Sequence, residues 1–210
     1  MRLIEIAPFP ATLEDGTIVQ LRPLVRSDEA RVLRFFEGLS DECHRNRFWE
    51  KGGKSLPQRA LDISNTDESN HFAWVALPER GDVIPGYGGA SCWRDAEDPE
   101  RAEIGLTVAD EVQRKGIGTL LLSILWFEAW SRGIREFYGI VKNENRDLFD
   151  WFTSLGAEVK RRTRYLEISL ELTSPEDCID RIRYTIEAGA SQILLADWMQ
   201  DWIELSGCES

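Results

Sequence analysis

Two rhythms of apolar spacing divide the chain. A strand-like, β-rich rhythm marks Thr17 to Leu21, after a turn at Glu14-Asp15-Gly16, and then 71–77 (HFAWVAL), 86–93 (GYGGASCW) and 102–108 (AEIGLTV). The helical rhythm first appears after Pro23. Ser27 is placed to cap a helix with Asp28 and Glu29 in its first turn, and Ala30, Leu33 and Phe36 follow at helical spacing before Gly38. A second helix begins after Ser40, carries Arg47, Phe48 and Trp49, and breaks at Gly52-Gly53; a short third helix is expected over 55–63. After Gly116 the period switches again. Ile117, Leu120, Leu121, Ile124 and Leu125 make one stripe of a helix that ends at Gly133. A strand over 134–141, a helix over 145–155 stopped by Gly156, and two strands within 157–172 follow. From Ser174 the character changes. Pro175 starts a helical pattern through Ile179, Ile182 and Ile186, and a second pattern over 193–205 carries Trp198 and Trp202. The pattern predicts a helical appendage over 173–210 that packs on the preceding domain or, as a homodimer, on a second copy of the chain.

Composition narrows what such a chain can be. With 210 residues, 42% of them apolar and eight of them Trp, it can bury a substantial core, which excludes a disordered protein. A formal net charge of -12 has the wrong sign for a nucleic-acid surface and is compatible with a basic, lysine-bearing partner. No stretch is long and uncharged enough to span a bilayer, and MRLIEIAPFP lacks the apolar run of a secretion signal, so no membrane partner is expected and the protein reads as cytoplasmic. Cys43, Cys92, Cys178 and Cys208 show no metal-ligand spacing, and only His44 and His71 accompany them. Free thiols in a reducing compartment, and no metal, are expected.

The chemistry-bearing stretch is VADEVQRKGIGT, residues 108–119, where a strand passes through a glycine-bearing loop into a helix. A helix start exposes unpaired N–H groups and the positive end of the dipole, and glycine lets an anion approach that backbone. Arg114 and Lys115 add positive charge, so the loop suits a pyrophosphate. An ordinary strand-to-helix turn fits the glycines equally well. Two other phosphate motifs fail: Gly116-Ile117-Gly118 lacks the third glycine of a dinucleotide fingerprint, and Gly53-Lys54-Ser55 has Phe48 where a P-loop needs glycine.

Gln113-Arg114-Lys115-Gly116-Ile117-Gly118 resembles the Gln/Arg-x-x-Gly-x-Gly/Ala signature of the Gcn5-related N-acetyltransferases (GNAT). LEDGTIVQLRPL, LSDECHRNRFW and AEIGLTVADEVQRKGIGTLL are further similar to the acetyltransferase domain of bacterial protein-lysine acetyltransferases, over roughly residues 12–172. The resemblance implies an α/β (α+β) GNAT fold over that span: a mixed, splayed central sheet flanked by helices, with a bulge in the strand before the loop. It implies acetyl-CoA as cosubstrate, with Thr107 and Val108 along the pantetheine arm and Gln113, Arg114, Lys115, Gly116, Ile117, Gly118 and Thr119 at the phosphates. Asn145 would contact the cosubstrate from the helix closing its far side. The acceptor it implies is a primary amine, foremost a protein lysine side chain; a small amine, a protein N-terminus, or a non-catalytic acyl-CoA sensor are the alternatives.

Transfer requires a deprotonated amine, since a lysine ammonium has a pKa near ~10.4. The resemblance makes Glu103 the general base, acting through water, and the Val108 amide the donor to the developing oxyanion. A solvent-facing carboxylate is the plainer reading of Glu103 by itself. Phe152 stands where many relatives carry a tyrosine that protonates the leaving thiolate, and Ala157 where an aromatic is usual. The tryptophans read as core, with Trp93 alternatively lining an amine channel; His44 reads as a surface or capping residue.

Overall fold

The computed structural model describes residues 9–13, 15–48, 54–67, 69–79 and 86–174; the helical patterns expected from Pro175 onward lie outside these. The elements are β1 (Phe9–Thr12), β2 (Ile18–Pro23), α1 (Glu29–Glu37), α2 (Asp41–Phe48), α3 (Leu56–Ser64), β3 (His71–Pro78), β4 (Gly88–Arg94), β5 (Arg101–Val108), α4 (Ile117–Ser131), β6 (Glu136–Lys142), α5 (Arg146–Ser154), β7 (Glu158–Arg161) and β8 (Tyr165–Glu171). The strands form one sheet in the order β1-β2-β3-β4-β5-β6-β8-β7, antiparallel except between β5 and β6. The expected mixed sheet flanked by helices is therefore present.

The parallel pair opens after three residues. β5 and β6 are in register only from Arg101↔Glu136 to Glu103↔Tyr138. Beyond that point β5 stays with β4 as far as Val108, while β6 stays with β8 as far as Lys142. The strands part past Ile104, whose carbonyl still lies beside Gly139, and a wedge opens between residues 105–108 and β6. No bulge produces it, contrary to expectation, because the β4–β5 register is unbroken from Arg94↔Ala102 to Gly88↔Val108.

Helix α4 differs from the single stripe expected of it. Ile117 and Leu120 to Ala129 are all buried, so it is a core helix apolar on nearly every face. Its polar members are internally satisfied: Ser123 Oγ donates to the Thr119 carbonyl, and the buried Glu128 carboxylate accepts from Trp74 Nε1 and Arg132. Helix α1 is also rotated from expectation. Val32, Phe35 and Phe36 are its buried positions, whereas Ala30 is exposed. The cause is Asp28, which is itself buried. It accepts both guanidinium nitrogens of Arg22 at 2.7 Å and the Val25 amide at 3.1 Å, and it stands where Ser27 was expected as N-cap. That fixes the helix phase through β2.

Candidate active site

The loop following β5 is built to present bare backbone. Arg114 (φ 62°) and Gly116 (φ 87°) both adopt the left-handed region, and Gly116 is the N-cap of α4 with no side chain satisfying the first-turn N–H groups. Alternating left-handed residues aim successive amides into one concavity, which the dipole of a 15-residue helix makes electropositive. The two glycines act differently. A Cβ on Gly116 would meet nothing within 4 Å, so the positive φ alone demands glycine there; one on Gly118 would lie 3.6 Å from Leu106 Cδ2 and 3.8 Å from Val108 Cγ2.

The loop is tied down by contacts that sequence reading missed. Gln113 Nε2 donates to the Val108 carbonyl (3.1 Å) and to Cys43 Sγ (3.4 Å). Asp110 accepts from Ser40 Oγ (3.0 Å), the Ser40 amide (3.3 Å) and Cys43 Sγ (3.3 Å). The corner between α1 and α2 is therefore fastened to the loop. Burial and the neighbouring Asp110 push the Cys43 thiol up, so it remains a thiol at neutral pH. Arg114 pairs with Asp147 (2.7 Å) and Lys115 with Asp15 (2.8 Å), both in well-solvated positions. Such pairs are worth little in water and exchange readily for a phosphate.

The end of β5 turns alternate backbone groups away from β4. The Ala109 amide donates to Tyr87 on the β4 side. Backbone groups alternate along an antiparallel ladder, so Leu106 and Val108 turn theirs toward the wedge. Side chains alternate as well. Leu106 and Val108 pack toward α4, whereas Gly105 and Thr107 face a cavity of about 60 Å³ roofed by Val32, Phe35 and Phe36 of α1. Thr107, expected along the pantetheine arm, instead pairs with Gly89 on β4 and lines the cavity with its side chain.

Glu103 shares that second face. It is partly buried, opposite Trp93 on β4 and Tyr138 on β6. The Tyr138 hydroxyl donates to Asp95 Oδ2 (2.9 Å), and burial together with that carboxylate pushes it up to about 12. Trp93 stacks on the buried ring of His71 (4.6 Å, 15°), which burial holds neutral. Asn145 is the N-cap of α5, its Oδ1 accepting from the Leu148 amide at 3.2 Å. Ile117 is buried under the loop, Thr119 half-buried beside it, and Phe152 buried in the core without a hydroxyl to offer.

Wedge, uncapped helix start and strand carboxylate together define a class. The chain belongs to the acetyltransferase (GNAT) family, whose model matches residues 34–157. Among individual proteins, it is 30% identical over 154 residues to the acetyltransferase Pat of Mycolicibacterium smegmatis, a match covering 72% of this chain and 45% of that relative. The chain thus spans just under half the length of that protein. Its fold is similar to the GNAT domain of S. lividans PAT (TM-score 0.69, 22% identity, 79% of this chain and 97% of the other). It is also similar to YncA of Salmonella typhimurium, a structure containing acetyl-CoA (TM-score 0.59, 20% identity, 74% and 95%).

Proposed function

We propose that this protein transfers the acetyl group of acetyl-CoA to a primary amine, specifically a lysine side chain of a protein. The observation that carries the proposal is the wedge: β5 leaves its parallel neighbour after Glu103 and runs, backbone groups turned outward, to a helix start that no side chain caps. The residues fit the cosubstrate. The loop amides from Gln113 to Thr119 would hold the diphosphate, the Leu106 backbone would hydrogen-bond the pantetheine arm with Val108 beside it, and Asn145 would border it from α5.

When bound, the thioester supplies an acyl carbon open to attack. Glu103 takes a proton from the acceptor ammonium through a water, leaving a nucleophilic lone pair. The Val108 N–H donates to the oxygen on which negative charge develops. The amine's second proton balances the departing sulfur, which leaves as a thiol. Phe152 offers no acid for that step, and a thiol with a pKa near ~8.5 does not require one. Protein lysine as acceptor is supported by the resemblance to bacterial protein acetyltransferases and by the acidic loop carrying Glu97, Asp98 and Glu100 beside Trp93, which suits a basic surface. Free thiols at Cys43 and Cys92 suit a cytoplasmic setting.

The test is thiol release and mass spectrometry with acetyl-CoA and a panel of lysine-bearing proteins, peptides and small amines. Lysine acetylation is expected, with kcat reduced roughly 10²-fold or more in Glu103→Gln while CoA still binds. CoA binding without transfer to any amine would overturn the proposal.

A further inference from the structure

A buried cation lies beside the candidate base. Arg47 projects from α2 onto β5 and lays its guanidinium against Gly105, so closely that a Cβ there would sit 2.3 Å from one terminal nitrogen and 2.8 Å from Cζ. Only glycine at 105 permits this approach. Glu103 is two residues away on the same face, and its charge attracts Arg47. Arg47 also forms part of the cavity wall with Gly105 and Thr107, among apolar residues of α1 and β3. Its Nε is sealed from solvent with no hydrogen-bond partner. Arg59 stands on its other side, over the same Phe48 ring, and opposes it electrostatically. An undonated guanidinium N–H in an apolar wall next to another cation is unfavourable for folding and calls for a compensating role.

We propose that Arg47 is a positioning residue for acyl transfer whose charge keeps the acceptor amine from being trapped as an ammonium ion on Glu103. This rests on the amine-transfer reading above. A lone carboxylate facing a lysine ammonium forms an ion pair that raises the amine's pKa and slows loss of its proton. A fixed positive charge beside that carboxylate weakens the pair and favours the neutral amine. The apolar wall keeps the effect strong, since charges interact more strongly where water is excluded. The other charged groups facing this point are Glu103 on β5, Arg59 on α3 and Arg31 on α1. Tyr138 on β6 stands beside Glu103 with its proton held by Asp95. Arg31 is matched by Asp28 at 3.5 Å, and Arg101, which lies over the Tyr138 ring, by Glu136 at 2.7 Å; Arg47 is the cation that Glu103 attracts.

The experiment follows kcat against pH with the full chain, saturating acetyl-CoA and a lysine peptide that the wild type acetylates. The wild type, Arg47→Gln and Arg47→Lys are compared after circular dichroism and CoA calorimetry show each folded and binding. The rising limb of the profile reports proton loss in the bound complex. In Arg47→Gln that limb should move up by about one pH unit, lowering kcat at pH 7 about tenfold. Arg47→Lys, which keeps the charge, should restore most of it. A limb that stays in place while kcat falls would mean that Arg47 only packs, and would overturn the proposal. So would an equal shift in Arg47→Lys. Should Arg47→Gln not fold, Arg47→Met carries the same test. A wild type that binds CoA yet acetylates no amine defeats the transfer reading first, and this proposal with it.

Discussion

Gln113 Nε2 stands 3.1 Å from the carbonyl oxygen of Val108, closing a hydrogen-bonded ring at the foot of the loop that leads into α4. The same nitrogen reaches Cys43 on α2, so one amide ties the end of β5, the loop and the α1–α2 corner together. Gln113→Ala should leave the fold intact while loosening the loop's concavity. A hydrogen bond of this kind is worth about 1 kcal/mol, so the Kd for CoA should rise roughly fivefold by calorimetry.

The two loop glycines should respond differently to a methyl group. Gly116→Ala forces an L-residue into a left-handed conformation and should cost about 1–2 kcal/mol in urea unfolding. Gly118→Ala meets Leu106 and Val108 at ordinary contact distance and should stay within about 0.5 kcal/mol of wild type.

Asp28 gives a pH-dependent stability. Burial pushes its carboxyl up, but the Arg22 pair and the Val25 amide outweigh burial and hold it below its ordinary value of 3.8. The unfolded chain therefore binds the proton more readily, and the stabilisation is present above pH 3.8 and lost as pH falls through the lower folded value. Asp28→Asn should be about 1–3 kcal/mol less stable at pH 7. The two proteins should converge as denaturation is followed into acid.

Glu128 tests the core. Its carboxylate, 2% exposed, receives Trp74 Nε1 and Arg132, while burial pushes its carboxyl up. Glu128→Ala leaves Arg132 and the indole N–H without that acceptor and should cost about 3–5 kcal/mol. Glu128→Gln keeps an acceptor oxygen and should cost less. Chemical denaturation of both variants separates the lost acceptor from the lost charge.

Much of this was legible in the sequence, for physical reasons that differ from element to element. Strands β3, β4 and β5 and the start of α4 were readable because apolar period and glycine punctuation are local signals. The phase of α1 was not, because it is set by Asp28 reaching back to Arg22 on β2. Nor was the all-round burial of α4, since Trp126, Phe127 and Glu128 extend past its apolar stripe and only packing shows that they are enclosed. At the site, the loop and Glu103 came from a linear motif. Arg47 did not, because what distinguishes it is contact with Gly105, 58 positions later in the chain. Tyr138 likewise gains its meaning only from lying level with Glu103 across the parallel pair.

On the proposed function, the wedge between β5 and β6 would make the pantetheine arm a stand-in for a missing strand. Main-chain amides and carbonyls greet that arm identically whatever residues carry them and whatever acyl cargo it bears. Choice among acyl groups would then fall to the few side chains past the thioester, on the face formed by Glu103, Gly105 and Thr107. That narrow strip, rather than the long docking groove, would then decide what is transferred without altering how it is held.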